Sequence, residues 1–258
     1  YIGNFAVDLD SGETLDIGAI VLATGAEVAD EQPFDDVGET EVITNLELEE
    51  RFAAGEDPVA GDSVTIVGCV GSRDGERGCS RYCCQSMIGQ AERLADGDRT
   101  VNVLSKDIRT FTRDSEEAYR DAAEKGVRFF RYDQDSTPAE AIDLEDGQLV
   151  FHDEYSGQTL ALPTDTVVLA EGLRSTVQGE SDIAQQLKVS RDEEDFLLEK
   201  HPKLGPAEAS VGGVFMAGSA QYPKDVRDAT DQALGAASKA GALLSKDTVT
   251  QEPLAAII

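Results

Sequence analysis

The sequence contains few of the residues on which several common enzyme mechanisms depend. It has two histidines, His152 and His201, and neither stands with serine and aspartate in a pattern that indicates a hydrolytic triad. We expect His152 to be structural or exposed and His201 to pack within a loop. No apolar run approaches the ~18 residues that a membrane-spanning helix requires, so no membrane span is predicted. A complete G-x-G-x-x-G dinucleotide fingerprint is also absent.

Positive charge is scarce. The chain has 51 aspartates and glutamates against 22 lysines and arginines, a formal net charge of −29, and the acidic residues are spread along its length. A dispersed acidic surface keeps a protein hydrated where high salt screens its self-repulsion. The composition therefore favours a halophile's cytoplasmic protein over an ordinary acidic one. It argues against a nucleic-acid partner, because a phosphate backbone is itself negative.

The start of the chain and the spacing of its cysteines narrow the class of protein further. The chain starts at Tyr1 without methionine or a basic leader, and its first residues read as the middle of a domain, which predicts a fragment. All four cysteines lie within residues 69–84. Such clustering is untypical of a secreted disulfide framework and favours thiolates that bind a metal in a reducing compartment.

The order of apolar and polar segments predicts an α/β protein. Two strands, 20–25 and 166–172, end in glycine in the same way, which predicts two related nucleotide-binding domains. Further predicted strands lie at 64–67, 101–104, 127–132 and 214–217, with a hairpin over 4–9 and 15–23 and a β-meander over 141–162. Helices are predicted at 80–94, 115–124, 181–187 and 225–245, and residues 192–204 are predicted to be irregular.

The strongest chemical signal is the cysteine array. A helix beginning near Ser80 would place Cys79 and Cys83 on one face, with Cys84 turned away and Cys69 arriving from the strand end. Thiolate ligation suits an iron–sulfur cluster or Zn²⁺. Zinc sites usually draw on two C-x2–4-C pairs, which this array lacks, so we favour a [4Fe–4S] cluster over zinc and over free thiols. Three arginines in the same loop would hold thiolates or pair with carboxylates: Arg73, Arg77 and Arg81.

A second signal lies at residues 213–225. A strand, Gly218-Ser219, a loop with Lys224 and a helix that starts near Asp225 would direct backbone N–H groups at a phosphate or a ring edge. Lys224 is a candidate catalytic residue that would bond a flavin at N5 or O4, and the alternative is a lysine in solvent. Gly25, after Thr24, would let the backbone pass close to a ligand.

Taken together, several segments resemble the A subunits of heterodisulfide reductases: IVLATGA, VITNLELE, IVGCVGSR with CSRYCC, SKDIRTF, EEAYRDAAEKGVRFFR, HPKL and GVFMAGSAQYPKD. The resemblance implies a thioredoxin-reductase-like flavoprotein with two dinucleotide-binding domains, FAD, and a [4Fe–4S] cluster in the domain that would otherwise bind NAD. Its cluster ligands would be Cys69, Cys79, Cys83 and Cys84. Its FAD-binding residues would be Thr24, Gly25, Gly218, Ser219, Lys224 and Asp225. The family's N-terminal FAD fingerprint and ferredoxin-type cysteine sets are absent from this sequence.

These observations predict four segments: part of an FAD-binding domain at 1–40, a crossover at 41–60, the cysteine-bearing domain at 61–172, and a return to the FAD domain at 173–258. The predicted function is electron transfer between FAD and the cluster. The predicted partners are other members of a heterodisulfide-reductase-like complex and ferredoxin-type carriers. The alternative is a non-catalytic, metal-stapled scaffold without flavin. An NAD(P)H-dependent disulfide reductase is disfavoured, because no C-x-x-C or C-x4-C pair is present.

Overall fold

The computed structural model describes residues 3–34, 38–177 and 183–249. The chain forms two compact units, one from Tyr1–Glu27 and Arg174–Ile258, the other from Val28–Leu173. The boundaries between the units fall at two short strands, β4 (Ala26–Val28) and β13 (Leu173–Ser175).

A parallel sheet of five strands forms the centre of the unit Val28–Leu173. Its strand order is β5-β12-β6-β7-β8, so the last strand in the sequence lies between the first two. The central positions are almost continuously apolar, as expected for strands that are covered on both faces. The strands are β5 (Glu41–Thr44), β6 (Ser63–Val70), β7 (Thr100–Ser105), β8 (Arg128–Arg131) and β12 (Thr166–Glu171).

The two faces of this sheet are covered differently. Three helices pack on one face, where Val64 and Ile66 of the central strand meet Met87 and Ile88. An antiparallel meander packs on the other face, around residues such as Tyr132. The covering elements are α1 (Asn45–Ala54), α2 (Cys83–Leu94) and α3 (Ser115–Glu124) on the helical side, and β9 (Ile142–Glu145), β10 (Gln148–Asp153) and β11 (Gln158–Pro163), preceded by the short helix α4 (Pro138–Ala141), on the other.

Local signals explain where these helices start. Thr44 caps α1 in a reciprocal capping box with Glu47. The predicted helix at 80–94 is shorter than expected, because it begins only at Cys83. Arg81 has a left-handed backbone conformation (φ 62°), which interrupts a right-handed helix. The inference that Cys79 and Cys83 share a helical face was therefore wrong, since Cys79 precedes the helix.

The other unit contains a four-stranded mixed sheet in the order β14-β15-β16-β3. The long helix α6 (Val226–Leu244) packs on one face of this sheet through Ala236 and Ala240. Small side chains at these positions let the helix approach the strands closely. The sheet strands are β3 (Ile20–Leu22), β14 (Glu199–His201), β15 (Gly205–Ala209) and β16 (Val214–Met216), and the unit also has the hairpin β1 (Phe5–Asp8) and β2 (Thr14–Ile17), the short helix α5 (Ile183–Leu187) and a 3₁₀ turn at Gly218–Ala220.

Two predictions for this unit needed correction. The apolar segment from Leu15 to Ala23 is two strands, β2 and β3, which belong to different sheets. Residues 192–204 were expected to be irregular, yet they include β14, which pairs with β15. The start of the predicted helix at 181–187 lies outside the described residues.

Candidate functional site

The cysteine array lies where three neighbouring parallel strands end. Cys69 is the penultimate residue of β6, and Cys83 is the first residue of α2. In parallel α/β sheets, this carboxyl edge is the usual position for a bound ligand. Cys69 has a left-handed backbone conformation (φ 63°), which is strained for a residue with a side chain. The residue lies at a register shift in the pairing of β6 with β12, beyond which Val70 still pairs with Glu171 before the cysteine loop at 71–82 begins.

The end of β12 supports this loop. The carbonyl oxygen of Glu171 accepts hydrogen bonds from Tyr82 Oη (2.7 Å) and Cys83 Sγ (3.7 Å). Gly172 follows, and a Cβ atom at that position would lie 2.7 Å from the carbonyl oxygen of Gly71 and 2.9 Å from Ser80 Oγ. Only glycine permits this close approach of two backbone segments.

All four cysteines are free thiols, and three of them are buried: Cys69, Cys83 and Cys84. Burial raises the pKa of Cys69, raises that of Cys83 well above its ordinary value, and raises that of Cys84 to about 11. Charge on any of the other three cysteines raises the pKa of Cys83 further, so the four sulfur atoms lie within electrostatic range of one another. Within the described ranges, no three or more Cys, His, Asp or Glu side chains are arranged to hold a metal ion.

The thiols otherwise contact main-chain groups and one arginine. Cys84 Sγ lies 3.9 Å from the carbonyl oxygen of Asp107, and the backbone N–H of Arg81 donates to Cys79 Sγ at 3.4 Å. Arg73 Nη1 lies 4.0 Å from Cys69 Sγ. These sulfur contacts are long and weak, and none of the three is with a carboxylate.

The arginines of the cysteine loop lie beside a thiol and also pair with carboxylates, the two roles that the sequence suggested. Arg73 faces Cys69 and also forms an ion pair with Asp107. Arg77 forms ion pairs with Asp74 (2.9 Å) and Glu31 (2.8 Å), which attaches the loop to the segment after β4. The loop is therefore held by charge pairs while Arg73 keeps a positive group beside a thiol.

Two further residues belong to this site and were not singled out from the sequence. Lys106, directly after β7, is 1% exposed, and its ammonium group donates to the carbonyl oxygen of Arg73. Tyr132 is fully buried and donates from Oη to the carbonyl oxygen of Gly68 (2.9 Å). The position of Lys106 directly after a buried strand was a usable signal in the sequence. No local pattern identifies Tyr132, because it lies far along the sequence from the cysteines.

The glycine-bearing segments assigned to flavin come together in the other unit. The strands β3 and β16 are parallel neighbours, so Thr24 and Gly25 emerge beside Gly218 and Ser219. Thr176 Oγ1 donates to the carbonyl oxygens of Thr24 (3.4 Å) and Gly25 (3.3 Å). Gly218 has a φ of +70° and open space around its Cβ position, which suits close approach by a ligand.

Lys224 is not the solvated lysine that was the alternative. It is 5% exposed, and its Nζ donates to the carbonyl oxygen of Gly218 (2.8 Å), to Gln232 Oε1 (2.7 Å) and to Gln221 Oε1 (3.2 Å). Asp225 caps α6 by accepting from the backbone N–H of Asp228 at 2.8 Å. Both residues shape the edge at Gly218, and their contact with a cofactor stays a prediction.

The chain is similar in sequence to known heterodisulfide reductase components. It is 36% identical over 267 residues to the A subunit of the H(2):CoB-CoM heterodisulfide,ferredoxin reductase of Methanothermobacter marburgensis, covering 94% of this chain and 39% of that protein. It is 34% identical to an iron-sulfur A subunit of the CoB--CoM heterodisulfide reductase of Methanopyrus kandleri, covering 98% of this chain and 41% of that protein. Nearly the whole chain is thus similar to part of the A subunits of heterodisulfide reductases. It spans about two fifths of the length of these relatives.

The fold is also similar to that of a solved structure. Thioredoxin reductase from T. acidophilum superimposes with a TM-score of 0.54 at 13% identity, covering 93% of this chain and 70% of that one. The predicted α/β, thioredoxin-reductase-like fold of this heterodisulfide reductase relative is therefore confirmed. No protein-family model matches the chain. In the described part of the chain, no helix has the length and apolar character needed to cross a bilayer.

Proposed function

We propose that the chain is an electron-transfer module of a heterodisulfide-reductase-like oxidoreductase. In this proposal, the unit Val28–Leu173 holds a [4Fe–4S] cluster and the other unit contributes to an FAD site. The observation that carries the proposal is the gathering of four free thiols, three of them buried, at the carboxyl edge of a parallel sheet. The two curated relatives are named as heterodisulfide reductase subunits, which supports the same class of reaction.

The chemistry of the donor set, four free thiols, suits a thiolate-bound cluster, although the described structure does not arrange the four as a metal site. Cys69, Cys79, Cys83 and Cys84 would be its ligands, and each would lose its proton on binding iron. Arg73 and Lys106 supply positive charge where these thiolates would form. Such charge favours the deprotonated ligands and the reduced state of a cluster.

The glycine edge fits part of a flavin site. Gly218 leaves space for close approach, and Lys224 is held beside it by three oxygen acceptors. When bound, FAD supplies the conversion between two-electron and one-electron chemistry. The residues of the chain would position it through backbone groups at Thr24, Gly25 and Gly218, while the buried ammonium of Lys224 would place positive charge near its ring.

The proposed partners are proteins that exchange electrons with such a module. One relative is named as part of a heterodisulfide,ferredoxin reductase, which supports a ferredoxin-type carrier. The reduced substrate would be a disulfide.

Iron analysis tests the cluster. Anaerobically purified protein should contain about four iron atoms per chain and absorb broadly near ~400 nm. Cys83→Ser should lose both signals, because a hydroxyl is a poor replacement for a thiolate ligand. Met87→Leu, a volume-conserving change in the same helix, should keep them. Bound zinc, or four titratable thiols without iron, would contradict the cluster.

Flavin extraction tests the proposed FAD site. A stoichiometric flavin released from the native complex, and lost from the Gly218→Val variant, would support the FAD site. A complex that contains the cluster but no flavin would instead favour a non-catalytic scaffold.

A further inference from the structure

Two glutamines hold the side chain of Lys224. Its Nζ donates to Gln232 Oε1 at 2.7 Å and to Gln221 Oε1 at 3.2 Å, besides its bond to the carbonyl oxygen of Gly218. Gln232 lies on α6, whereas Gln221 directly follows the 3₁₀ turn that begins at Gly218. Burying an ammonium group is costly without such acceptors. The two amides therefore stabilise the lysine between the turn and the helix.

The other contacts of Gln232 fix the orientation of its amide. Its Nε2 donates to the carbonyl oxygen of Pro206, in β15, at 3.3 Å and also to Gln221 Oε1. An ammonium group has only donors, so the amide oxygen of Gln232 has to face Lys224 while the amide nitrogen faces Pro206. The contact with Pro206 thereby attaches the acceptor of Lys224 to the sheet.

Gln221 extends this arrangement to a carboxylate. It is 6% exposed, and its Nε2 donates to Glu199 Oε2, in β14, at 2.7 Å. Because the nitrogen is directed at Glu199, the oxygen of the same amide is available to Lys224 and Gln232. The four side chains form one connected network, so the position of the lysine depends on β14, on the turn after β16 and on α6.

The network also fixes where the ammonium group lies. Nζ of Lys224 is 3.9 Å from the centroid of the Tyr222 ring, and the carbonyl oxygen of Gly218 that it bonds belongs to the proposed flavin-binding edge. A lysine has a flexible four-carbon stem, and holding it in one place costs rotamer freedom. Without the acceptor on Gln232, fewer contacts would keep the ammonium group beside Gly218.

We propose that Gln232 is a positioning residue, which holds the ammonium group of Lys224 at the flavin-binding edge and thereby sets the midpoint potential of the flavin. This inference rests on the proposed FAD site. Gln232 acts through Lys224 and not on the flavin itself. Positive charge beside the ring favours the reduced flavin, whose ring carries added negative charge. Loss of the acceptor on Gln232 should therefore lower the potential.

A spectroelectrochemical titration of the flavin in the native complex tests this role. Gln232→Met keeps an unbranched side chain of similar volume and removes the amide, so the midpoint potential should fall. Lys224→Met should lower the potential further. The double variant should match Lys224→Met, because a residue that acts through the lysine has no effect once the lysine is gone.

Two other variants serve as controls. Gln148→Met makes the same substitution at an exposed position of β10, in the other unit, and should leave the potential at the wild-type value. Gln232→Asn keeps an amide but shortens its reach, so it should lower the potential by less than Gln232→Met does. Gln232→Asn decides the question if Gln232→Met does not fold.

The possible results separate this inference from the FAD site. An unchanged potential in the Gln232 variants or in Lys224→Met, with flavin bound, overturns the positioning role while the FAD site stands. A double variant whose shift equals the sum of the two single shifts also overturns it, because Gln232 would then act independently of the lysine. A wild-type complex without flavin overturns the proposed FAD site and this inference together.

Discussion

At the scale of single residues, the two buried lysines are the most informative. Of eight lysines in the chain, Lys106 and Lys224 are the buried ones, at 1% and 5% exposure. Burying an ammonium group is costly unless it gains compensating partners. Lys224 has three oxygen acceptors, whereas the hydrogen bond described for Lys106 is to one carbonyl oxygen, beside a cluster of thiols. A site that gains negative charge at the cysteines would compensate Lys106.

This reasoning gives a prediction for Lys106→Met. The neutral side chain keeps most of the volume but removes a positive charge from the proposed cluster environment. A reduced cluster carries more negative charge than an oxidised one, so its midpoint potential should fall. At an effective dielectric constant of about 20, the loss is roughly 1–2 kcal/mol, or some tens of millivolts for one electron. An EPR-monitored redox titration measures it.

Lys125→Met is the control for this change. Lys125 is a surface lysine that pairs with Glu92 and Asp96, and its side chain is 40% exposed. Solvent screens such a charge, so the midpoint potential should stay at the wild-type value. A Lys106→Met protein with a full cluster and an unchanged potential would contradict the electrostatic role.

At the scale of secondary structure elements, local patterns predicted the regular parts well. The helix predicted at 115–124 has those bounds, and the predicted meander is observed as β9, β10 and β11. Strong periodicity and turn residues such as Asp146-Gly147 carried these predictions. The strand β14 was missed because it has three residues and its pairing with β15 depends on a neighbour in space.

The cysteines of the candidate site could be predicted from the sequence, but the residues that surround them in the fold could not. Clustered thiols are visible in the sequence, because their spacing is local. The positions of Lys106, Tyr132 and Glu171 around them depend on the order in which parallel strands meet, which the sequence does not state. The start of α2 was misplaced for a related reason, since the left-handed turn at Arg81 has no glycine to mark it.

The connection between β5, α1 and β12 gives a prediction about stability. The carboxylate of Glu41 accepts from Arg51 (2.9 Å), the backbone N–H of Ala60 (3.1 Å) and Thr166 Oγ1 (3.3 Å). The hydrogen bond from Arg51 holds the pKa of Glu41 below its ordinary value. Because the folded pKa is lowered, this stabilisation is present above the ordinary pKa and is lost as pH falls through the folded value.

Glu41→Gln should therefore lower the free energy of unfolding by about 1 kcal/mol at pH 7, a modest figure because the side chain is partly solvated. Urea unfolding followed by circular dichroism at pH 7 and below ~4 compares the two proteins, and the difference should shrink at the lower pH. Glu116→Gln, which removes an exposed pair with Arg120 (3.1 Å), should change little at either pH. A Glu41→Gln deficit that persists unchanged in acid would contradict the assignment to the ionised carboxylate.

At the scale of the whole molecule, net charge is the dominant property. Each unit has its own hydrophobic clusters, yet the chain carries −29 formal charges. Compaction brings like charges together, so self-repulsion destabilises the folded state more than the extended chain. Salt shortens the screening length from about 10 Å at 0.1 M to about 3 Å at 1 M. The fold should therefore depend on ionic strength.

We expect the melting temperature to rise between 0.1 M and 2 M KCl, measured by differential scanning calorimetry at pH 7. Salt also strengthens hydrophobic burial in general, and a charge variant separates the two effects. Glu117→Lys combined with Glu124→Lys changes two exposed positions of α3 and makes the net charge less negative by four. If repulsion is the cause, this variant should gain less from KCl than the wild type, because less repulsion remains to be screened. Equal gains in both proteins would assign the effect to hydrophobic burial. A melting temperature that does not change with KCl would show that the acidic surface does not need screening for the fold to be stable.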